Sequence, residues 1–301
     1  MMNNKAIVLY PYREDDIKDT SNTSTAIVNQ LRERGYEIKT ISMYDSLGSY
    51  RIDAEKDAFS LINAGFIPAF MLALDYGPWT GQFWNKNNFP NTLLVYESGD
   101  EPQSHYSHVK KAYSSDLILT PDYRCFSMYS EVFRKNSLWW PQFAIDEQYS
   151  KDMNVMENIC VTTCGDRGEV TRHMSEKLGK NFANRRAWGD EHAKFLASGL
   201  IVFQESKNKE ITRRVFEGAA LGRCVLADRP AESSRYYDLL VEGREIIWYD
   251  GKEDAVKKAK HLLDNPDLAL EIGDNAKNAV RKKHMCSSRV ASLIKKLEET
   301  L

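Results

Sequence analysis

The chain has 301 residues, more than a single hydrophobic core usually organises, so two domains of ordinary size are expected. With 42% hydrophobic and 28% charged residues it falls outside the disordered and fibrous classes, and a formal net charge of −2 provides no general attraction to nucleic acid.

In chain order, AIVLYPY reads as a strand and SNTSTAIVNQLRERGY as a helix, because Ala26, Ile27 and Leu31 recur at helical spacing before the stop signal Gly35. The opening lacks the basic segment and long apolar core of a signal peptide, and nothing later approaches a membrane span. EIKTISM is a second strand, and strand, helix and strand with short links predict a parallel sheet covered on both faces. The alternation continues through IDAEKDAFSLINAG as helix, FIPAFMLAL, TLLVYE and SDLILT as strands, and YRCFSMYSEVFRK as helix. SLWWPQFAIDEQYSKDMNVME shows neither period and contains a proline, which places the domain boundary around residues 142–155. NICVTT then restarts the pattern, with LIVFQ as strand, EITRRVFEGAALG as helix, CVLAD and EIIWYD as strands, and helices to the end. The expected class is α/β with two doubly wound, Rossmann-like domains over residues 1–145 and 155–283. A C-terminal helix over 284–301 is left free to pack back toward the first domain.

Five scattered cysteines suit free thiols in a reducing compartment, and a cytoplasmic location is expected. Cys160 and Cys164 have a C-x3-C spacing, but no nearby histidine or second cysteine pair completes a metal site.

Ligands of doubly wound sheets bind beyond the carboxyl ends of the strands, so four loops carry the functional candidates. After the first strand, Tyr12 and the hydroxyl-rich helix start at Asn22 can hold an anion or a sugar hydroxyl, although Asn22 can equally be a plain helix cap. After TLLVY, the residues Glu97, Asp100, Glu101, His105 and His108 crowd one strand end. Such groups supply a general base or bind hydroxyls, unless they form a solvated acidic loop. Asp100 is the first candidate for a catalytic or acceptor-orienting carboxylate and His105 the second. After ICVTT, Gly165 and Gly168 permit a tight turn, while Arg167 and Arg172 stand at a helix start whose dipole favours phosphate. In the fourth loop, about 100° per residue puts Glu210, Arg214 and Glu217 in one narrow arc beside Arg213, with Ile211, Val215, Ala219 and Gly222 opposite. Taken alone, this is equally a salt-bridged solvent face, each pair worth roughly 0.2–0.5 kcal/mol.

Ser206, the run Arg214-Val215-Phe216-Glu217, Gly222 and the strand ending in Asp228 together resemble the signature of the group-1 glycosyltransferases, in the branch named after spore-maturation proteins. Gly165 with Arg172, Trp188-Gly189, SGLIVFQES, Asp100-Glu101-Pro102, and His284 with Arg289 extend the resemblance over most of residues 92–290. It implies a GT-B fold, two Rossmann-like domains facing a central cleft, with a nucleotide-diphosphate sugar held by the C-terminal domain and the acceptor by the N-terminal one. Carried over, Glu217 accepts the ribose hydroxyls, Arg214 and Arg172 neutralise the diphosphate, and Trp188 lies near the base. Gly165, Arg167, Ser206, Lys209, Glu210 and Arg213 complete the donor set, and Tyr12, Asn22 and Glu97 belong with the acceptor.

One departure stands out. Many retaining enzymes of this fold carry two glutamates separated by seven residues, but Lys209 stands eight before Glu217 and Glu210 is one place out of register. Lysine cannot accept hydrogen bonds from sugar hydroxyls, so Lys209 is assigned to phosphate. Retention of configuration is implied by the resemblance, and inversion stays open. No D-x-D triplet is present, so arginines and helix N-termini are expected to act in place of Mg²⁺, without metal or cofactor. The acceptor is left open among a polysaccharide, a protein, a small metabolite and a modified DNA base, as is the oligomeric state. The basic clusters Arg185-Arg186, Lys257-Lys258 and Arg281-Lys282-Lys283 are scattered rather than gathered into a DNA-binding stripe. A nucleotide-sugar epimerase of the same fold and a non-catalytic nucleotide-sugar-binding protein are the alternative readings.

Overall fold

Continuous apolar runs without alternation mark strands covered on both faces, and the first strand, β1 (Lys5–Tyr10), is buried from Ala6 onward. The computed structural model describes residues 4–11, 22–45, 48–51, 53–75, 79, 81–99, 101–102, 105–151, 153, 160–165 and 168–300. Tyr12, Asp100 and Arg167 lie outside the described residues. The chain divides into two units, Met1–Pro141 with Arg289–Leu301, and Gln142–Ser288.

In the first unit, β1 is followed by α1 (Thr23–Glu33), β2 (Glu37–Ser42), α2 (Lys56–Asn63), β3 (Phe70–Asp75), β4 (Leu93–Ser98), α3 (His105–Tyr113), β5 (Leu117–Thr120), α4 (Tyr123–Ser127) and β6 (Ser137–Trp139). Among the described residues the strands pair in parallel in the order β2-β1-β3-β4-β5-β6, with Ala6 opposite Phe70 and Val95 opposite Leu117. Ile7, Leu9, Met71, Leu94 and Ile118 project from the sheet onto Trp79, Trp84 and Phe89. Two readings of the sequence are corrected in this unit. The helix expected over 123–135 is α4 followed by a wider π-helical turn over Met128–Val132. The segment without a clean period supplies β6, too short for a period-2 signal to stand out.

The second unit carries α5 (Asp146–Tyr149), β7 (Val161–Thr163), α6 (Glu169–Leu178), β8 (Phe182–Asn184), α7 (Gly189–Ala197), β9 (Ile201–Gln204), α8 (Arg213–Ala220), β10 (Cys224–Asp228), β11 (Ile247–Tyr249), α9 (Gly251–Asp264), α10 (Pro266–Lys283) and the start of α11 (Cys286–Thr300). Its strands are also parallel, in the order β11-β10-β9-β7-β8. Val161, Ile201, Phe203, Leu226 and Tyr249 form its core with Ala255, Ala259 and Ile272. The division between units falls within α11, and Asn136 Nδ2 donates to Thr300 Oγ1 at 2.8 Å inside the first unit. No helix among the described residues is long and apolar enough to cross a membrane.

Candidate functional site

All strands of each sheet run the same way, so their carboxyl ends share one edge and the loops leaving them gather there. In the second unit those loops follow β7, β9 and β10, and α8 starts close by. Helix α8 opens at Arg213, with Thr212 as an extended N-cap residue, which corrects the expected helix start. Glu210 therefore does not share the helical face of Arg214 and Glu217; it sits in the preceding loop, where Oε2 accepts from the Asn208 amide at 2.6 Å. Ile211 likewise precedes the helix, although it is buried as expected.

Glu217 is 3% exposed. Arg213 Nε stands 2.8 Å from its Oε1 as an ion pair, and His192 Nε2 lies 3.9 Å from Oε2. Oε1 is thus held by the Arg213 ion pair, which satisfies the buried carboxylate's charge. Tyr149 bonds the Nδ1 atom of His192 at 2.8 Å, and its hydroxyl pKa is pushed up by burial and then by Glu217. Burial also lowers the pKa of His192, against the opposing pull of Glu217, which favours the neutral imidazole.

Arg214 is the second buried charge. Its pKa is lowered by burial, with Glu217 acting against the shift. Its guanidinium donates to Gln204 Oε1 and lies against Gly165, where an added Cβ would come within 2.8 Å of it. Arg214 Nε has no partner among the described residues. A buried guanidinium with a spare donor, beside a buried carboxylate, is equipped to bind a ligand carrying both an anion and hydroxyls.

The pocket beside them, about 620 Å³, is lined by Gly168, Gln204, Glu205, Ser206, Lys207, Glu210, Thr212 and Arg214. Ser206 donates from both its amide, at 2.9 Å, and its hydroxyl, at 2.5 Å, to Asp228 at the end of β10. Lys209, its side chain 56% exposed, reaches the same carboxylate at 3.7 Å. Burial raises the pKa of Asp228, while the Ser206 bonds and Lys209 oppose the shift.

The start of α6 differs from the expected open anion site. Glu205 accepts from the Val170 amide at 3.1 Å, the Thr171 amide at 2.8 Å and the Thr171 hydroxyl at 2.6 Å. The helix N-terminus is thus capped by a carboxylate from the end of β9. Arg172 is exposed on α6 and does not line the pocket, and Trp188, the residue before α7, is 75% exposed. Gly218 positions Glu217: an added Cβ would meet Val202 of β9 at 2.9 Å, so α8 lies as close to the sheet as its backbone allows. We expect Gly218→Ala to cost roughly 1–3 kcal/mol by overpacking, seen as a lower melting temperature.

In the first unit, Asn22 caps α1, its side chain accepting from the Ser24 amide at 2.8 Å, which is the plain structural role. Glu97 is buried within β4, and His108 is buried with its Nδ1 against the Tyr96 hydroxyl, so neither presents a solvent-facing group. Glu101 and His105 do meet: the imidazole Nδ1 stands 3.0 Å from both carboxylate oxygens. His284 and Arg289 bond the carbonyls of Leu239 and Pro141, at 3.1 and 2.8 Å. Glu205, Gln204, His192 and Tyr149 are the participants not assigned from the sequence.

Residues 160–295 match a protein family described as glycosyl transferase-like. The fold is GT-B, and the chain is similar to glycosyltransferases. Sucrose-phosphate synthase from Thermosynechococcus elongatus superposes with a TM-score of 0.73 at 8% identity, covering 98% of each chain. Anabaena HepE, solved with UDP and glucose, gives 0.68 at 10% identity over 98% of this chain and 99% of its own. An alpha-glucosyltransferase solved with UDP-glucose and DNA containing an abasic site gives 0.68 at 11%, with the same coverage. No curated protein matches the chain.

Proposed function

We propose that this chain is a glycosyltransferase moving a sugar from a nucleotide-diphosphate donor to a hydroxyl acceptor, within the spore-maturation branch of the group-1 enzymes. The observation that carries the reading is the buried Glu217, ion-paired with Arg213, next to Arg214 with Nε unused among the described residues, inside the segment matched by the glycosyl transferase-like family. Glu217 accepts hydroxyls of the nucleoside ribose. Arg214 complements the diphosphate, whose negative charge grows as the bond to the sugar breaks. Arginine and backbone donors make the transfer metal-independent. Neighbours of this fold solved with UDP, UDP-glucose and glucose support a nucleotide-sugar donor, and the neighbour solved with DNA keeps a modified base among the candidate acceptors.

A thermal-shift panel of UDP, GDP, ADP and CDP with their sugars tests the reading, because a ligand of the folded state raises stability as RT ln(1 + [L]/Kd). A specific shift followed by sugar transfer to an acceptor is the expected result. Free sugar or an epimer from donor alone would favour the epimerase reading. Binding without turnover on a broad acceptor panel would favour the binding protein.

Trp188 gives a local readout. Trp79, Trp84, Trp140 and Trp248 are buried, whereas Trp188 is open to solvent. We expect a bound nucleotide base to quench Trp188 fluorescence, and Trp188→Ala to lose the quench with about 3- to 10-fold in affinity, the scale of one aromatic stacking contact. Unchanged quenching in the variant would remove Trp188 from the donor site.

A further inference from the structure

We propose that Glu101, His105 and Cys125 form a zinc site within the first unit. Glu101 lies in the turn after β4, His105 opens α3, and Cys125 is buried in α4. A carboxylate oxygen, an imidazole nitrogen and the thiol sulfur all lie within 4.8 Å of one another. Among the described residues no other group of three His, Cys, Asp or Glu side chains converges in this way. The site shares no residue with Glu217 and Arg214 and does not rest on the transferase reading.

The carboxylate supplies a charge for a cation to complement. The Glu101 side chain is 0% exposed, and His105 is its one ion-pair partner among the described residues. Arg124, on the same helix as Cys125, is paired with Asp122 at 2.6 Å. Burying a carboxylate without a permanently charged partner is costly, and a bound cation removes that cost. His105 Nδ1 lies 3.0 Å from each carboxylate oxygen, and the Cys125 thiol reaches Oε2 at 3.0 Å. Oε2, between the sulfur and the nitrogen, is therefore the ligand atom. The Tyr129 hydroxyl donates to Oε1 at 3.1 Å and so fixes the orientation of the carboxylate, as partners behind a metal ligand do. Tyr129 is carried by the π-helical turn Met128–Val132, a rare element that recurs at functional positions.

One thiolate, one imidazole nitrogen and one carboxylate oxygen are a donor set for zinc, whereas magnesium and calcium take oxygen ligands. Around a tetrahedral ion with bonds of roughly 2.0–2.3 Å, neighbouring ligand atoms stand roughly 3.3–3.8 Å apart. The 3.0 Å spacings around Oε2 therefore open by less than about 1 Å to admit it. On binding, the Cys125 thiol becomes a thiolate and its proton passes to solvent, while neutral His105 presents its lone pair at Nδ1 and carries its N–H at Nε2. His105 is 21% exposed, which gives the ion a route from solvent, and water takes the fourth position. The ion ties the turn after β4 and the start of α3 to α4, so its binding free energy adds to the stability of the first unit.

The experiment titrates the full chain, first treated with a chelator, with zinc and with cobalt as its spectroscopic substitute. Wild type is expected to bind one equivalent, to show a thiolate-to-cobalt charge-transfer band, and to melt about 5–10 °C higher with free zinc 100-fold above Kd. Cys125→Ser should lose the band, whereas Cys160→Ser in the second unit should keep both the band and the affinity. Tyr129→Phe should keep the band while binding zinc about 10- to 100-fold more weakly, and His105→Gln should lose at least as much. A wild type with no band and no zinc-dependent rise in melting temperature overturns the proposal, as does a band that survives in Cys125→Ser or vanishes in Cys160→Ser. Should Cys125→Ser fail to fold, the partly exposed His105 keeps the test decisive: unchanged zinc affinity in His105→Gln overturns the site. A donor-induced rise in melting temperature, measured on the chelated chain, reports on the transferase reading alone.

Discussion

Glu217→Gln is expected to weaken donor binding by about 10- to 100-fold, because hydrogen bonds to a charged acceptor contribute roughly 1.5–3 kcal/mol. The amide keeps the shape of the carboxylate but loses its charge and half of its acceptor capacity. Arg213 at 2.8 Å and the buried Arg214 then share no counter-charge at this point. Glu217→Ala goes further. Removing one partner from a buried charge set costs roughly 3–5 kcal/mol, since the remaining charge stays desolvated, so this variant should also melt well below wild type. Calorimetric titration of Glu217→Gln with the donor nucleotide separates the two effects: weakened affinity with a folded chain supports the ribose assignment. Undiminished affinity would make Glu217 part of a structural ion-pair network and leave the donor reading without its central residue.

The distinction between Glu217 and Glu210 shows how far the sequence could be read. Helical periodicity treats both as neighbours of Arg214, and only the position of the N-cap at Thr212 tells them apart. The alternating elements, the parallel sheets and Glu217 on its helix were legible because each depends on local spacing and burial. His192 and Tyr149 were not, since they meet 43 residues apart in sequence and carry no shared period. Glu101 lay in plain view beside Asp100, but its importance comes from Cys125 and Tyr129, brought to it by the adjacency of β4 and β5. The two pairs Glu101–His105 and Cys125–Tyr129 each have an i, i+4 spacing, the one local signal that could have marked them.

Glu205 leads to the second large effect. A glycine turn, a helix start and two arginines point to phosphate at α6, and the backbone geometry there is indeed that of an anion site, already filled by the chain's own carboxylate. Gly168 makes room for it: an added Cβ would lie 2.3 Å from the Glu205 carboxylate. Glu205→Ala removes two amide bonds and one hydroxyl bond at once, with about 3 kcal/mol of stability as the expected cost for bonds to a charged acceptor. At about 2–4 °C per kcal/mol, the melting temperature should fall by roughly 6–12 °C. The freed Val170 and Thr171 amides then face the pocket without an anion, and pyrophosphate should restore part of the lost stability in the variant while stabilising wild type less. In wild type an incoming diphosphate meets either a carboxylate that repels it or one that must swing away. Melting curves with and without pyrophosphate decide the matter: equal shifts in the two proteins would mean that the anion binds through Arg214 alone and that Glu205 is a permanent cap.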